Sequence, residues 1–419
     1  MKVFKFGGAS VKDAEAVKNL QSIIEGEHES KLLVVVSAMD KTTNHLEKAI
    51  DAFILKDDQW RQLLDRVFEF HLEQLTTLLP TKYKEVEETL LKIKHYAFTF
   101  FEQDEGSGYD FIYDQIASIG EILSTKIIWG YLKEQGLNAE WADARKLIHT
   151  NNNYRSAEVN WKETGKRIQS FWNNTTSPII ITQGFIGGGE HNRMTTLGRE
   201  GSDFSAAIFA YCLDAESVTI WKDVAGMLNA DPKHFSNTTL LPNVSYREAI
   251  ELSYFGASVI HPKTIKPLEN KNIPLYVKGF KHPKEPGTLI NENTSEDSKI
   301  PSYIFKPNQV LITISSRDFS FIVEEHISDL FLRFSKFKLN IQTMQNSAIS
   351  FSVSVSDHPI QIEALINDLK TDYEVRYNDG LELMTIRHFN REIVDELIKG
   401  KEILLEQKTR HTMRLLMRG

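Results

Sequence analysis

Apolar runs that alternate with amphipathic stretches organise the first 290 residues of the chain. The run VFKF at 3–6 and the run LLVVV at 32–36 are rich in the residue types of buried strands. The segments SPIIITQG and AESVTIWK repeat this pattern, and helical periodicities lie between the runs. The alternation predicts an α/β domain with a mainly parallel sheet between helices. In such a domain, polar and glycine residues at the strand ends line a ligand crevice.

A long helical stretch interrupts this alternation. Residues 45–101 carry helical periodicity with many charges and a break at Pro80, so we predict a helical insertion over 44–110. The next segment, 110–136, predicts one amphipathic helix with Glu121 in its interior. A solvated glutamate is the ordinary case at such a position.

The composition shifts near residue 298, after which a different pattern begins. The polar stretch NENTSEDSKIPS predicts a linker, and AISFSVSVS alternates apolar residues with serines as a half-buried strand does. The order of predicted elements from 309 to 376 is βαββαβ, which resembles an ACT domain, a small-molecule sensor. The segment LELMTIRHFN begins a second, shorter copy that ends at Arg418. We therefore predict a first domain over 1–298, an α+β ACT-like domain over 299–380 and an abbreviated ACT-like unit over 381–419.

Composition and charge exclude several classes of protein. The 419 residues are 41% hydrophobic and 25% charged, as in soluble proteins of two or three domains, and the net charge of −8 argues against nucleic-acid binding. The single cysteine, Cys212, excludes an internal disulfide framework, and Met1 runs directly into the first strand without a signal segment. No apolar run is long enough for a membrane span, and the histidines show no metal-ligand spacing. We expect a cytoplasmic protein with no nucleic acid, no membrane and no structural metal among its partners.

Candidate chemistry collects at the predicted strand ends. Gly7 and Gly8 follow Lys5 at the end of the first strand, where backbone amides and a cation can hold a phosphate or carboxylate. An ordinary turn with a solvated lysine fits this pattern equally well. The segment GREGSD places Arg199 and Asp203 at a helix start, which also suits an anion. Asp203 as an ordinary N-cap is equally consistent with the sequence.

Six segments together resemble aspartate kinase, a member of the amino-acid kinase superfamily. In order along the chain they are KFGGAS, VVSAM, GE at 120–121, TTLGREGSD, KDVAGMLNADP and FGASVIHPKTI. The resemblance covers about residues 1–290 as the catalytic domain, and the rest less sharply as a regulatory region. Six segments in this order are far more specific than any one of them.

The resemblance implies ATP-dependent phosphorylation of the side-chain carboxylate of L-aspartate, the first step of lysine, threonine and methionine biosynthesis, with Mg²⁺ as cofactor. It implies that Lys5 and the amides of Gly7 and Gly8 hold the transferring phosphoryl group. Because the acceptor carboxylate is already ionised and needs no base, we expect Asp203 to organise the site by orienting the phosphate-binding lysine or a metal. The aspartate-binding positions that it implies are Ser37, Thr43, Glu121, Arg199 and Ser202. The further ATP-binding positions are Ala9, Ser10, Gly201, Lys222, Asp223, Leu228, Asp231, Lys233 and Ser258.

Several residues depart from the family pattern. Ala9 replaces the usual threonine, and Glu200 replaces a glycine and brings a negative charge close to the phosphates. The nucleotide loop has lost its common aspartate, tyrosine and arginine, and the usual lysine of the FGAK segment is absent. The residues at these four positions are Ala225, Leu228, Lys233 and Ser258. Lys263 is a candidate to replace the missing lysine.

Other functions stay open on the sequence. The same fold can phosphorylate glutamate, acetylglutamate or a nucleoside monophosphate, although Glu121 with Arg199 favours a free amino acid. A non-catalytic regulatory relative is the alternative of a different class, and a plain structural scaffold has no support. The resemblance also implies a homodimer through the C-terminal region and a possible amino-acid effector. Regulated members present a carboxylate to the effector amine, whereas the corresponding stretch here, KLNIQTMQNS, contains none.

Overall fold

The structure is a computed structural model that describes residues 1–27, 31–81, 84–257, 260–318 and 320–418. These residues form two compact units. The first unit comprises Met1–Met227, Leu240–Ser253 and Ser258–Asp297, and the second comprises Leu228–Thr239, Tyr254–Ala257 and Ser298–Gly419. Two segments from the range predicted as the first domain therefore group with the C-terminal residues. The predicted boundaries near residues 298 and 380 stay predictions.

The first ten strands and eleven helices follow one another in α/β order. The strands are β1 (Lys2–Phe6), β2 (Leu32–Val36), β3 (Ala139–Ala142), β4 (Ile179–Gln183), β5 (Ile186–Gly188), β6 (Met194–Thr196), β7 (Ser217–Lys222), β8 (Asn243–Ser245), β9 (Leu275–Gly279) and β10 (Thr288–Asn291). The helices are α1 (Ala14–Glu25), α2 (Thr42–Ile54), α3 (Gln59–Leu78), α4 (Lys84–Gln103), α5 (Tyr109–Ala117), α6 (Ile119–Glu134), α7 (Ala144–Leu147), α8 (Trp161–Asn174), α9 (Gly201–Cys212), α10 (Tyr246–Phe255) and α11 (Pro262–Glu269).

Eight of these strands form one sheet in the order β3-β4-β2-β1-β7-β9-β10-β8. The first six strands in this order are mutually parallel, and β10 runs antiparallel to β9. Strand register aligns Phe6 at the end of β1 with Val36 and with Trp221. The carboxyl ends of β1, β2 and β7 therefore meet at one edge of the sheet, where open α/β sheets bind ligands.

The sheet is buried because its central strands are apolar on both faces. All five residues of β2 are buried, and Val3 and Phe6 of β1 are fully inaccessible to solvent. Helices α2, α3 and α4 lie in the stretch predicted as a helical insertion and pack into the same core, with Phe53 against Phe101 at a ring separation of 4.5 Å. This core holds the strand ends in a fixed arrangement.

The helix predicted over 110–136 is divided. Helix α5 ends at Ala117 and α6 begins at Ile119, with the Ser118 hydroxyl donating to the carbonyl of Asp114 at 2.6 Å. Glu121 therefore lies in the first turn of α6 and not in a helix interior, and its side chain is buried and not solvated. The prediction of one continuous helix was wrong because periodicity alone does not locate a break between two consecutive helices. The ordinary alternative of a solvated glutamate does not hold, and the aspartate-binding role implied for Glu121 stays a prediction.

The second unit contains one antiparallel sheet of six strands in the order β12-β13-β11-β14-β16-β15. The strands are β11 (Ser302–Ser315), β12 (Ile341–Asn346), β13 (Ser350–Ser356), β14 (Glu374–Arg387), β15 (Glu402–Lys408) and β16 (Thr412–Arg418). The helices are α12 (Glu324–Lys336), α13 (Pro359–Leu369) and α14 (Arg391–Leu397).

Strand β14 runs through the point at which the sequence predicted one copy to end and the next to begin. It is 14 residues long and pairs with β11, and the register shifts between Lys306 and Gln309 and again between Gln309 and Leu311. Gly380, opposite the second of these shifts, has a φ of +63°, which glycine adopts without steric cost. A bulge therefore lets one strand serve both halves of the sheet.

Candidate functional site

A cavity of about 560 Å³ opens at the carboxyl ends of the parallel strands. It brings together many of the residues predicted for the site: Lys5, Gly8, Ser37, Thr43, Glu121, Arg199, Gly201, Ser202, Asp203 and Lys222. These residues come from β1 and the turn after it, the loop after β2, helices α2 and α6, the start of α9 with the residues before it, and β7. The cavity thus collects side chains that are up to 217 positions apart, between Lys5 and Lys222, because their strands end at the same edge.

Two lysines and one carboxylate define one part of the cavity. Lys5 Nζ lies 2.6 Å from Asp203 Oδ1, and Lys222 Nζ lies 3.5 Å from Asp203 Oδ2. Burial alone would raise the pKa of Asp203, but Lys5 and Lys222 outweigh it and hold that pKa below its usual value. Asp203 also lies in the first turn of α9, where the helix dipole favours negative charge. The carboxylate therefore stays ionised and fixes the lysine ammonium groups.

The close approach at Gly8 comes from the protein's own backbone. A Cβ atom there would lie 2.8 Å from the carbonyl oxygen of Asp40 and 2.9 Å from that of Ala38. The Asp40 N–H also donates to the Gly8 carbonyl at 3.2 Å. Gly8 therefore lets the loop after β1 lie directly against the loop after β2.

Glu121 lies in a different electrostatic environment from Asp203. Only 3% of the residue is exposed, and burial raises its pKa to about 8 although the backbone N–H groups of Glu121 and Ala38 oppose the rise. Its Oε2 atom has no hydrogen-bond partner among the residues that the structure describes. A buried carboxylate of this kind is stabilised in its charged form when a cation such as an ammonium group binds beside it.

Glu200 immediately precedes α9 in a left-handed conformation, with a φ of +54°. Glycine adopts this conformation without steric cost, whereas a glutamate is strained there. Its Oε2 atom is buried and has no hydrogen-bond partner in the described part of the chain. The structure thus confines a negative charge at the cavity wall.

Some predicted residues lie elsewhere. Ser10 belongs to a 3₁₀ turn over Gly8–Val11, and its buried hydroxyl donates to the carbonyl of Trp221 at 3.2 Å. Lys263, on α11, lines another cavity, of about 520 Å³. Gly7, Ala9, Ser10 and Asp223 are absent from the lining of the 560 Å³ cavity, so their roles stay predictions.

The nucleotide loop belongs to the second unit. Leu228, Asp231 and Lys233 are all in the segment Leu228–Thr239, and the Lys233 N–H donates to Asp231 Oδ1 at 2.9 Å in a local turn. Ser258 lies outside the described residues. The predicted ATP contacts of these four residues therefore stay predictions.

Sequence reasoning missed eight residues that line the cavity as members of the site, although it had noted Glu200 as a nearby charge. They are Ala38, Asp40, Tyr113, Arg155, Phe185, Thr196, Gly198 and Glu200. Arg155 lies in an irregular loop between α7 and α8, where no periodicity or motif marks it. Neither metal nor membrane features occur in the described ranges. They contain no group of three His, Cys, Asp or Glu side chains able to hold a metal ion, and no helix long and apolar enough to cross a bilayer.

A mainly parallel sheet with a charged cavity at the carboxyl ends of its strands is typical of α/β enzymes that bind small ligands. The comparison with known families identifies the family. The model of the amino acid kinase family matches residues 1–279, well over half of the chain. The chain belongs to this family.

The most similar proteins include aspartokinases. A bifunctional aspartokinase/homoserine dehydrogenase of Buchnera aphidicola subsp. Acyrthosiphon pisum is 32% identical over 392 residues, which cover 91% of this chain and 47% of that protein. Chloroplastic aspartokinase 1 of Arabidopsis thaliana is 29% identical over 434 residues, covering 100% of this chain and 72% of that protein. The chain spans about half, or less, of the length of the bifunctional relatives that it matches.

Solved structures of E. coli aspartokinase III are similar over the whole chain. The complex of that enzyme with lysine and aspartate has a TM-score of 0.83 at 26% identity, covering 100% of this chain and 96% of the other. Its complex with aspartate and ADP has a TM-score of 0.82 at the same identity and coverage. The predicted fold class, an amino-acid kinase fold followed by α+β ACT-like domains, is confirmed.

Proposed function

We propose that the protein is an aspartate kinase that transfers the γ-phosphoryl group of ATP to the side-chain carboxylate of L-aspartate, giving 4-phospho-L-aspartate. The observation that carries this proposal is one cavity lined both by the ion-paired group Lys5, Lys222 and Asp203 and by Glu121 with its unpaired buried oxygen. We assign the ion-paired group to the phosphoryl end of the cavity, and Glu121 with Arg199 to the amino-acid end. The similarity to aspartokinases supports the same assignment.

The chemistry requires little proton transfer from the protein. The side chain of aspartate has a pKa near 3.9, so at neutral pH the acceptor carboxylate is already a nucleophile. The protein must then align this carboxylate with the γ-phosphate and neutralise the charge on the phosphoryl oxygens. Lys5 supplies a positive charge that Asp203 holds in place, and the amides at the start of α9 add partial charge.

The acceptor is oriented by its α-substituents. Arg199 offers a guanidinium that can bind the α-carboxylate through two parallel hydrogen bonds. Glu121 binds the α-ammonium, which compensates the unpaired buried Oε2 atom. The hydroxyl groups of Ser37, Thr43 and Ser202 complete the acceptor end.

The residues of the cavity fit a Mg²⁺ ion that enters with the nucleotide. Mg²⁺ is usually held by one or two carboxylates and the substrate phosphates. Both oxygens of Asp203 face lysines, so the nucleotide phosphates would be the main ligands of the ion here. When bound, Mg²⁺ supplies further neutralisation of the phosphate charge.

The C-terminal sheet suits a role in assembly and regulation. On α12, Phe331 and Leu332 are 41% and 68% exposed, and these large apolar side chains favour association with a second copy. We propose a homodimer through this region and a place at the start of lysine, threonine and methionine biosynthesis. The molar mass from light scattering tests the dimer, and a monomer at micromolar concentration would contradict it.

The experiment that tests the function is an acceptor screen. Purified protein with MgATP is incubated separately with L-aspartate, L-glutamate, N-acetylglutamate and uridine monophosphate, and ADP release and hydroxamate formation are measured. We expect turnover with aspartate and loss of several orders of magnitude in kcat in Lys5→Ala. Turnover with another acceptor alone would overturn the substrate assignment, and no turnover with any acceptor would favour the non-catalytic alternative.

A further inference from the structure

Arg155 has an unusual backbone conformation beside the cavity. Its φ of +63° lies in the left-handed region, which residues other than glycine rarely adopt. The Arg155 N–H donates to both carboxylate oxygens of Asp114 at 3.1 Å. The same buried carboxylate accepts from the N–H of Thr196 at 2.8 Å and from its hydroxyl at 2.7 Å. Asp114 thus ties the strained loop to a strand that lines the cavity.

The side chain of Arg155 is directed along the cavity wall. Its guanidinium carbon lies 4.6 Å from the ring centre of Tyr113, and both residues line the cavity together with Glu121. Burial raises the pKa of Tyr113 to about 12, with Glu47 and Glu121 adding to the rise and Arg155 opposing it. Arg155 packs on Tyr113 in the wall of the cavity that Glu121 also lines, and on this geometry we assign Arg155 to the amino-acid end.

The carboxylates paired with the Arg155 guanidinium bind it weakly. Asp110 lies 3.5 Å away and its side chain is 63% exposed, and Glu47 lies 4.0 Å away and is 40% exposed. Exposed pairs of this length contribute little to stability. A guanidinium has five N–H donors, so Arg155 retains donors for a ligand.

We propose that Arg155 is a second carboxylate-binding group, which holds the α-carboxylate of the acceptor together with Arg199. The α-carboxylate and the α-ammonium share one carbon atom, so an acceptor whose ammonium binds Glu121 places its α-carboxylate at the same end of the cavity. Two guanidinium groups there favour an acceptor with a free α-carboxylate over its amide. This inference rests on the proposed function and names a determinant of its acceptor specificity.

The test compares two acceptors in the full-length protein. L-Aspartate and its α-amide, L-isoasparagine, both carry the reacting side-chain carboxylate, but the amide has lost the α-carboxylate. In Arg155→Gly we expect the KM for aspartate to rise about tenfold, with kcat and the KM for ATP within about twofold of wild type. Wild type should have a higher kcat/KM for aspartate than for isoasparagine. In Arg155→Gly the ratio of these two values should be about ten times smaller, because the variant has lost one of the two guanidinium groups that bind the α-carboxylate.

Arg155→Gly keeps the backbone N–H that binds Asp114 and relieves the left-handed strain, so its melting temperature should not fall. Arg155→Lys keeps the charge without the planar fork and should show a smaller rise in the aspartate KM. The matched control is Lys56→Gly. Lys56 is exposed, has a φ of +58° and is absent from the cavity lining. Its replacement should change neither the KM for aspartate nor the preference for aspartate over isoasparagine.

The outcomes separate this inference from the proposed function. If wild type phosphorylates aspartate and both Arg155 variants retain its KM and its preference over isoasparagine, the inference is wrong and the function stands. If wild type does not phosphorylate aspartate, both are wrong.

Discussion

Lys5 Nζ lies 2.6 Å from Asp203 Oδ1, in an ion pair whose side chains are 9% and 3% exposed. The second carboxylate oxygen lies 3.5 Å from Lys222 Nζ. The lysines hold the pKa of Asp203 low against the effect of burial, and a carboxylate with a low pKa is a poor proton acceptor. We therefore infer that Asp203 positions Lys5 and does not act as a general base.

Replacing Asp203 by Asn should reduce kcat about 10²- to 10³-fold with little change in the KM for aspartate, since the phosphoryl-binding charge is no longer held in place. The control is Asp214→Asn, which removes the carboxylate of a surface pair with Lys271 in the same unit. Steady-state kinetics and a melting curve of both variants check this. A well-folded Asp203→Asn protein with wild-type kcat would contradict the positioning role.

The sequence predicted this part of the site well because strand ends carry strong local signals. Lys5 follows an apolar strand, Asp203 opens a helix after glycines, and parallel strands bring their carboxyl ends to one edge. The pairing of Lys5 with Asp203 was not predictable by position alone, since the two are almost 200 residues apart.

Other features depended on contacts that no local pattern records. Arg155 faces the cavity because Asp114 holds its loop, and neither residue stands in a recognisable motif. Glu121 is buried because α6 begins only two residues before it. The continuity of β14 depends on a bulge opposite Gln309, which sequence alternation does not reveal.

The raised pKa of Glu121, about 8, predicts a pH dependence of aspartate binding. Only the ionised carboxylate attracts an ammonium group, so kcat/KM for aspartate should rise with pH until about pH 8. In Glu121→Gln this parameter should be lower and the rise absent. With saturating aspartate, kcat/KM for ATP should not show this rise with pH, because the bound ammonium group keeps Glu121 ionised. A wild-type aspartate profile that is flat from pH 6 to about pH 8 would exclude this role.

The buried carboxyl group of Glu121 also predicts that the stability of the protein changes with pH. The folded protein binds the Glu121 proton more tightly than the unfolded chain, in which the pKa is near 4.5. The contribution of the protonated Glu121 to the free energy of unfolding is therefore fully present below about pH 4.5. This contribution falls as the pH rises towards about 8. Melting temperatures should show an advantage of Glu121→Gln over wild type that grows between about pH 5 and pH 8. An advantage that shrinks over this range would contradict the burial of the carboxylate.

Replacing Glu200 by Gly should stabilise the ligand-free protein by about 1 kcal/mol. The left-handed backbone costs roughly 1–2 kcal/mol for residues with a Cβ, which exceeds the roughly 0.5–1 kcal/mol that glycine loses in chain entropy. Removing the unpaired Oε2 atom adds to the gain, while the lost interaction with the α9 dipole subtracts part of it. The KM for MgATP should also fall, since one negative charge leaves the cavity wall.

Lys56→Gly separates the backbone contribution to the stabilisation in Glu200→Gly from the contribution of the lost carboxylate. Its φ of +58° resembles that of Glu200, but Lys56 is exposed, so its replacement measures the backbone part alone. Urea unfolding of both variants gives the two free energies. A Glu200→Gly protein less stable than wild type would show that the carboxylate stabilises the start of α9.

The charges around strand β12 of the C-terminal sheet predict weak inhibition by lysine. In β12, the Gln342 side chain accepts a hydrogen bond from Lys306 Nζ at 2.6 Å, and its backbone carbonyl accepts one from Arg414 Nη1 at 2.7 Å. Burial lowers the pKa of Lys306, and the positive charge of the nearby Arg414 adds to this effect. The stretch from 338 to 347 itself contains no carboxylate. An effector ammonium at this strand would therefore meet Lys306 and Arg414, and the strand itself offers it no carboxylate.

The absence of a charge-assisted hydrogen bond at this strand costs about 1.5–3 kcal/mol, or roughly tenfold to a hundredfold in affinity. We expect lysine and threonine, alone or together, to leave most activity intact at millimolar concentrations. Initial rates at subsaturating aspartate across a titration of each amino acid check this, with glycine as the control for nonspecific effects. Effector binding is also measured by calorimetry without substrates, because this prediction concerns binding at β12 and not at the 560 Å³ cavity. Half-inhibition by lysine below about 1 mM, with matching heat of binding, would show that the effector amine finds its partner elsewhere and that the argument from charge is wrong.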